Sequence, residues 1–272
     1  MKKFIKKLLP KFIINYLKNL IPNKKNSLLK KLKFDHIKDI TYLGTDYGGW
    51  SFLENTNLKN KIIISAGLGE DASFDIELIS KYNCKVIAVD PTPRAIDHYN
   101  QIKMNAGKPK KEPYREDGKL KISSYDLTQI NDENFILIKK ALYNSNNEEL
   151  KFFEPPNKEH VSFSINNWQN DYKKDTNFIK VETITVKNIL DKFNINHLEM
   201  IKLDIEGAQV EVLKNMIEEK IFPNQILVEF DELNKINELA INRFLDVHQK
   251  LLTENYKLVK TSNNFPNFLY VK

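Results

Sequence analysis

The chain has 272 residues, 41% of them hydrophobic and 16 of them Phe, enough to bury one substantial core. Its one cysteine, Cys84, excludes an intramolecular disulfide and implies a reducing compartment, and the five histidines (His36, His98, His160, His197, His248) lack the spacing of a zinc site. The net charge of +6 is uneven: residues 1–34 hold eleven lysines and no acid, which leaves the rest of the chain at −5 and without a basic, aromatic-interleaved surface for nucleic acid.

Residues 1–34 are read as a basic amphipathic arm and residues 35–272 as the domain proper. In the arm, Ile5, Leu8, Leu9, Phe12, Tyr16 and Leu20 recur at helical spacing, with Lys3, Lys7, Lys11 and Lys18 on the other side and Pro10 as a bend. No apolar run reaches the roughly 18 residues of a membrane span, and lysines interrupt any signal-peptide core, so a cytoplasmic chain is expected. Such an arm suits peripheral contact of residues 1–33 with an anionic membrane; packing on the domain itself, or against a second subunit, fits it equally well.

Beyond the arm, Tyr47-Gly48-Gly49-Trp50 reads as a structural turn that delivers an aromatic side chain to the core, followed by a short linker. Ile62–Ala66 is a continuous apolar run, as expected of a buried parallel strand, and it enters a turn containing Gly67 and Gly69. Residues 73–82 read as a crossover helix and Lys85–Val89 as the next strand, ending at Asp90. A helix follows over 94–102, then a surface loop over 105–117, and a third strand begins at Phe135 and runs toward Lys139-Lys140-Ala141-Leu142. After a short strand at 150–153, residues 154–177 hold His160, Ser162, Ser164, Asn166, Asn167, Trp168 and Asn170, a polar and aromatic mixture that suits a substrate-facing loop. A strand over 181–186, a short helix over 187–193 and an apolar strand in 198–207 follow, the last ending in Asp204, Glu206 and Gly207. A helix over 208–219, a strand over 225–229, a helix over 237–255 and strands over 256–260 and 267–271 complete the chain. The expected fold is α/β, a Rossmann-like doubly wound and mostly parallel sheet with an antiparallel C-terminal hairpin.

Gly67-x-Gly69-x-x-Ala72, with Asp90 at the end of the following strand, satisfies a dinucleotide fingerprint, so an NAD-dependent enzyme stays open on pattern alone. Glu70 and Asp71, however, put carboxylates where a diphosphate would lie. S-adenosylmethionine has no phosphate and carries an ammonium and a sulfonium; an acidic glycine turn suits its methionine end, and Asp90 would accept from the ribose hydroxyls. Capping of the following helix is the simpler role for Glu70 and Asp71 and is compatible with this one. In an open parallel sheet, ligands lie beyond the carboxyl ends of the strands at the switch point, so Gly67, Asp90, Asp204 and Glu229 should converge on one crevice. Methyl transfer to oxygen needs a positioned acceptor and a group to take its proton: Asp204 is the first candidate, with Glu206 and His160 as alternatives. Asp204 and Glu206 are too few oxygen ligands to define a metal site, and Asp204-Ile205-Glu206-Gly207 also reads as a helix cap.

Ser65-Ala66-Gly67-Leu68-Gly69-Glu70-Asp71-Ala72-Ser73-Phe74-Asp75, Asp90-Pro91-Thr92-Pro93 and, most specifically, Lys202-Leu203-Asp204-Ile205-Glu206-Gly207-Ala208 resemble the FkbM-type class I methyltransferases over residues 42–232. The resemblance implies O-methylation of sugars or other secondary products, with Gly67, Gly69, Asp90 and the Ala141 position at S-adenosylmethionine and Asp204 and Glu206 bordering the acceptor. The family's usual glutamate after Gly-Ala is Gln209 in this chain. The expectation is an S-adenosylmethionine-dependent O-methyltransferase taking a small-molecule or glycan hydroxyl. The rivals are an NAD-dependent sugar-modifying enzyme and a non-catalytic, membrane-docked binding protein on the same fold.

Overall fold

A computed structural model describes residues 24–54, 58–115, 118–157, 162–261 and 265–272. The apolar positions assigned to the arm, Ile5 to Leu20, lie outside them. A short helix, α1 (Lys24–Leu29), begins the described chain, and Leu28 and Leu32 are buried in the core. The end of the predicted arm is therefore part of the domain's packing.

The strands β3 (Ile62–Ala66), β4 (Lys85–Val89), β5 (Phe135–Ile138), β9 (Met200–Leu203) and β10 (Gln225–Glu229) pair in parallel; β12 (Asn267–Val271) lies antiparallel between β10 and β11 (Lys257–Val259). The order across this seven-stranded sheet is β11-β12-β10-β9-β3-β4-β5. The chain winds outward from β3 to β5, then restarts at β9 beside β3 and winds the other way. The reversal lies between β3 and β9, and there the crevice opens.

Period-two alternation divides the core. Ile64, Ala66, Ile87, Val89, Ile201, Leu203 and Val228 face one side, with α4 (Val186–Lys192), α5 (Gln209–Glu218) and α6 (Glu238–Thr253) supplying the cover. Ile63, Val86, Ala88, Met200 and Leu227 face the other side with α2 (Ser73–Tyr82) and α3 (Pro93–Met104). With both faces covered, the strands have to be apolar throughout, which is why they are legible as continuous runs.

Three features depart from the sequence reading. The stretch read as a turn and linker is a hairpin, β1 (Ile40–Leu43) against β2 (Trp50–Leu53), held to the main sheet where Leu53 exchanges two hydrogen bonds with the Gln225 side chain, at 2.7 and 3.0 Å. The third strand stops at Ile138; Ala141–Leu142 is a separate strand, β6, parallel to β8 (Phe178–Ile184), which also pairs antiparallel with β7 (Glu149–Phe153). The described part of the 154–177 loop is built onto this small sheet. Phe153 and Ser164 exchange backbone bonds, and a 3-10 turn over Asn167–Asn170 is fastened by the Asn167 side chain.

Candidate functional site

A cavity of about 830 Å³ lies above the carboxyl ends of β3, β4, β9 and β10. Gly67, Gly69, Glu70, Asp71, Asp90, Ala141, Asp204, Glu206 and Glu229 all line it, so the predicted convergence is present. His160 lies outside the described residues.

The glycines have different reasons to be glycine. Gly67 has φ +83°, and a Cβ there would sit 1.7 Å from the backbone oxygen of Asp204: the turn after β3 presses on the turn after β9. Gly69, at φ +57°, would direct a Cβ into open space, with nothing within 4 Å. That side of the turn faces the open cavity.

Asp90 is bonded within the protein to the glycine turn and to Thr92. Its Oδ2 accepts from the N–H groups of Leu68 (3.0 Å) and Gly69 (3.1 Å), and its Oδ1 from the N–H (2.9 Å) and hydroxyl (2.7 Å) of Thr92. These four donors fill a carboxylate's acceptor sites, so in this arrangement Asp90 shapes the glycine turn. Glu70 is ion-paired with Arg94 at the start of α3, which offsets its charge. Asp71 accepts from Ser73 N–H (3.0 Å) at the head of α2 and from the Thr45 hydroxyl (2.6 Å). Asp71 thus takes the first N–H of α2 from one position before the N-cap, Ala72, and the Thr45 bond fastens the hairpin turn to the glycine turn.

That hairpin turn belongs to the site. Tyr47, Gly48 and Gly49 line the cavity, and a Cβ on Gly48 would strike the Asp71 carboxylate at 2.6 Å. Reading it as purely structural missed this, although a glycine pair beside a tyrosine, close in sequence to Gly67, was an available signal. Lys202 was also missed: a nearly fully buried lysine on β9 whose Nζ donates to the Gly67 carbonyl at 2.6 Å.

The far side of the cavity is acidic. Burial raises the Asp204 carboxyl above its usual range, nearby Asp90 adds to this, and Lys202 opposes it. Glu206 is pushed up to about 7 by burial and by Asp204, against a hydrogen bond from Ser162; Glu229 reaches about 8 through burial and the charges of Asp204 and Glu206. Burial and the surrounding carboxylates raise Asp231 well above normal, and its Oδ2 accepts from Gly207 N–H at 3.1 Å. Glu206 has a left-handed backbone (φ +47°), and the Ser164 hydroxyl donates to its carbonyl at 2.7 Å. Gln209, standing where the family has glutamate, is fully buried; it accepts from Gly207 N–H (2.9 Å) and donates to Glu232 (2.6 Å). Among the described residues, no three His, Cys, Asp or Glu side chains are grouped to hold a metal ion, and no helix is long and apolar enough to cross a membrane.

A doubly wound sheet with one antiparallel strand inserted beside its edge, and a glycine turn facing carboxylates across the switch point, defines a Rossmann-like methyltransferase fold. The chain belongs to the FkbM methyltransferase family: the model of the methyltransferase FkbM domain matches residues 57–258. No curated protein matches the sequence. Among solved structures, the chain is similar to the fibrillarin/Nop5p complex, at 12% identity, with 78% of this chain and 71% of that one covered and a TM-score of 0.35. It is also similar to the Methanococcus jannaschii fibrillarin pre-rRNA processing protein, at 12% identity, 89% and 86% coverage and a TM-score of 0.37. Scores this low transfer no function.

Proposed function

We propose that this FkbM-family chain is an S-adenosylmethionine-dependent O-methyltransferase whose acceptor is a hydroxyl of a sugar or similar polyol. The observation that carries the reading is one cavity with a glycine turn on one wall and Asp204, Glu206 and Glu229 on the other. The cavity suits the cofactor in size and charge: about 830 Å³ lies within the range of small-molecule sites, and carboxylates outnumber cations on its lining. That lining favours an ammonium and a sulfonium and opposes the diphosphate of NAD. The preference rests on the wall as a whole, since Arg94 neutralises Glu70.

Gly67 and Gly69 would admit the methionine end of the cofactor, with Asp90 holding the turn in shape and Ala141 closing the wall. When bound, the cofactor supplies an electrophilic methyl group. Glu206, poised at about 7, is well matched to take a hydroxyl proton near neutral pH, and Asp204, beside the glycine turn, would orient the acceptor. Ser162 and Phe163, also on the lining, support the reading of their loop as substrate-facing.

Calorimetric titration with S-adenosylmethionine, S-adenosylhomocysteine and NADH in parallel tests the cofactor. Binding of the first two alone supports the reading, whereas binding of NADH alone, or of none, overturns it. Transfer of labelled methyl from S-adenosylmethionine to a panel of neutral oligosaccharides, with alkali-stable label in the product, tests the acceptor.

A further inference from the structure

Lys202 is unexpected by composition. It sits in the four-residue strand β9, flanked by Ile201 and Leu203, and is only 4% exposed. A buried ammonium is costly unless it is paired and hydrogen-bonded, so its partners show what holds it there. Nζ donates to the carbonyl of Gly67 at 2.6 Å and stands 3.8 Å from Oδ2 of Asp204. The indole of Trp50, on the hairpin strand β2, lies beneath it at 5.6 Å from ring centroid to Nζ. Asp75, buried on α2, and Glu229, at the end of β10, also feel its charge. One side chain thus touches both turns that form the crevice floor.

We propose that Lys202 is a positioning residue for the methyl-transfer site: its ammonium ties the Gly67 carbonyl of the glycine turn to the Asp204 carboxylate, so that the cofactor wall and the acceptor wall keep a fixed separation. The proposal rests on the methyltransferase reading for its meaning, but its geometry does not depend on it. The two turns already meet at the Gly67–Asp204 backbone contact, and Lys202 supplies the polar link on the cavity side. The same ammonium offsets the negative field at Asp204, which is also faced by Asp90 from β4, Glu206 from its own turn, Glu229 and Asp231 from the β10 side and Tyr47 from the hairpin. A structural ion pair serving only the core would leave ligand affinity independent of Lys202.

The test uses the full chain with Lys202→Met, which keeps the length and loses the charge, and Lys202→Gln, which keeps an N–H donor. Two quantities are read: affinity for S-adenosylhomocysteine by calorimetry, and the Asp204 titration midpoint by carboxyl ¹³C NMR, with Asp204→Asn identifying the resonance. Lys202→Met is expected to bind S-adenosylhomocysteine about ten- to a hundredfold more weakly and to raise the Asp204 midpoint by about one pH unit or more. Lys202→Gln should raise the midpoint similarly and lose less affinity. If folded Lys202→Met binds within about twofold of the unsubstituted protein, or leaves the Asp204 midpoint unmoved, the proposal fails. If neither folds, Lys202 serves the core as a whole and the proposal fails too. Absence of binding in the unsubstituted protein would instead defeat the cofactor reading and leave the NMR titration to decide the role of Lys202.

Discussion

Replacing Gly67 and Gly69 separately by Ala should split stability from binding, because the two positions face different surroundings. At Gly67 the new methyl carbon would lie 1.7 Å from the Asp204 oxygen, whereas an ordinary contact begins near 3.4 Å. The carbonyl would have to withdraw by well over an ångström. It cannot do so freely, since Asp204 N–H donates to the Ala66 carbonyl at 3.1 Å and Lys202 donates to Gly67. A left-handed backbone costs a non-glycine residue about 1–2 kcal/mol, and two weakened hydrogen bonds add about 1 kcal/mol each. A loss of about 3–4 kcal/mol is a large share of a typical folding free energy of about 5–15 kcal/mol. At Gly69 only the backbone term applies, on the order of 1 kcal/mol, or a few degrees in Tm for a chain of this size. Its methyl group instead enters the space kept for a ligand, so affinity for S-adenosylhomocysteine should fall roughly tenfold or more. Denaturant unfolding and calorimetry on the two variants check both halves. Equal destabilisation, or a Gly67→Ala protein as stable as the unsubstituted one, would refute the close approach of the two turns.

Three further outcomes are expected. Glu206 and Glu229 titrate near 7 and 8 in the folded chain against an ordinary 4.5, so between these values the native state binds more protons than the unfolded one and stability declines as pH rises. Tm should therefore drop from pH 6.5 to pH 9, above the range in which the buried His98 acts in the opposite sense, by an amount on the order of a few kcal/mol in free energy, and Glu229→Gln should flatten the decline; a Tm that rises over this range contradicts the assignment. Asp90→Ala strips the partner from Leu68, Gly69 and Thr92, so unfolding free energy should fall by about 2–4 kcal/mol and S-adenosylhomocysteine affinity with it; a variant that loses affinity at full stability would return Asp90 to direct ligand contact. Once an acceptor is in hand, Asp204→Asn and Glu206→Gln should bind S-adenosylhomocysteine nearly normally yet lose turnover, and a parallel loss of binding in Asp204→Asn would rule out its place on the acceptor side.

The strands and helices of the doubly wound half were legible because each is buried on a defined side: Ile62–Ala66, Lys85–Val89 and Gln225–Glu229 are apolar runs bounded by turn residues, and their ends were read correctly. The acids at the strand ends were legible for the same reason, since a parallel sheet brings all its carboxyl ends to one edge. Local pattern could not show the hairpin Ile40–Leu43 with Trp50–Leu53, whose short strands are defined by pairing across a turn and by Gln225, 172 residues away. Nor could it show that Asp90 spends its acceptor sites on the glycine turn, or that Arg94 cancels Glu70, because hydrogen-bond saturation and charge pairing depend on which side chains meet. Composition and periodicity by themselves determined the fold class, the glycine turn and the acidic strand ends, since burial on a regular backbone writes itself into the order of residues. Only the tertiary structure decided that Tyr47 enters the site, that Lys202 joins its two walls and that Glu206 is poised near neutrality, because each depends on distances between segments far apart in the chain.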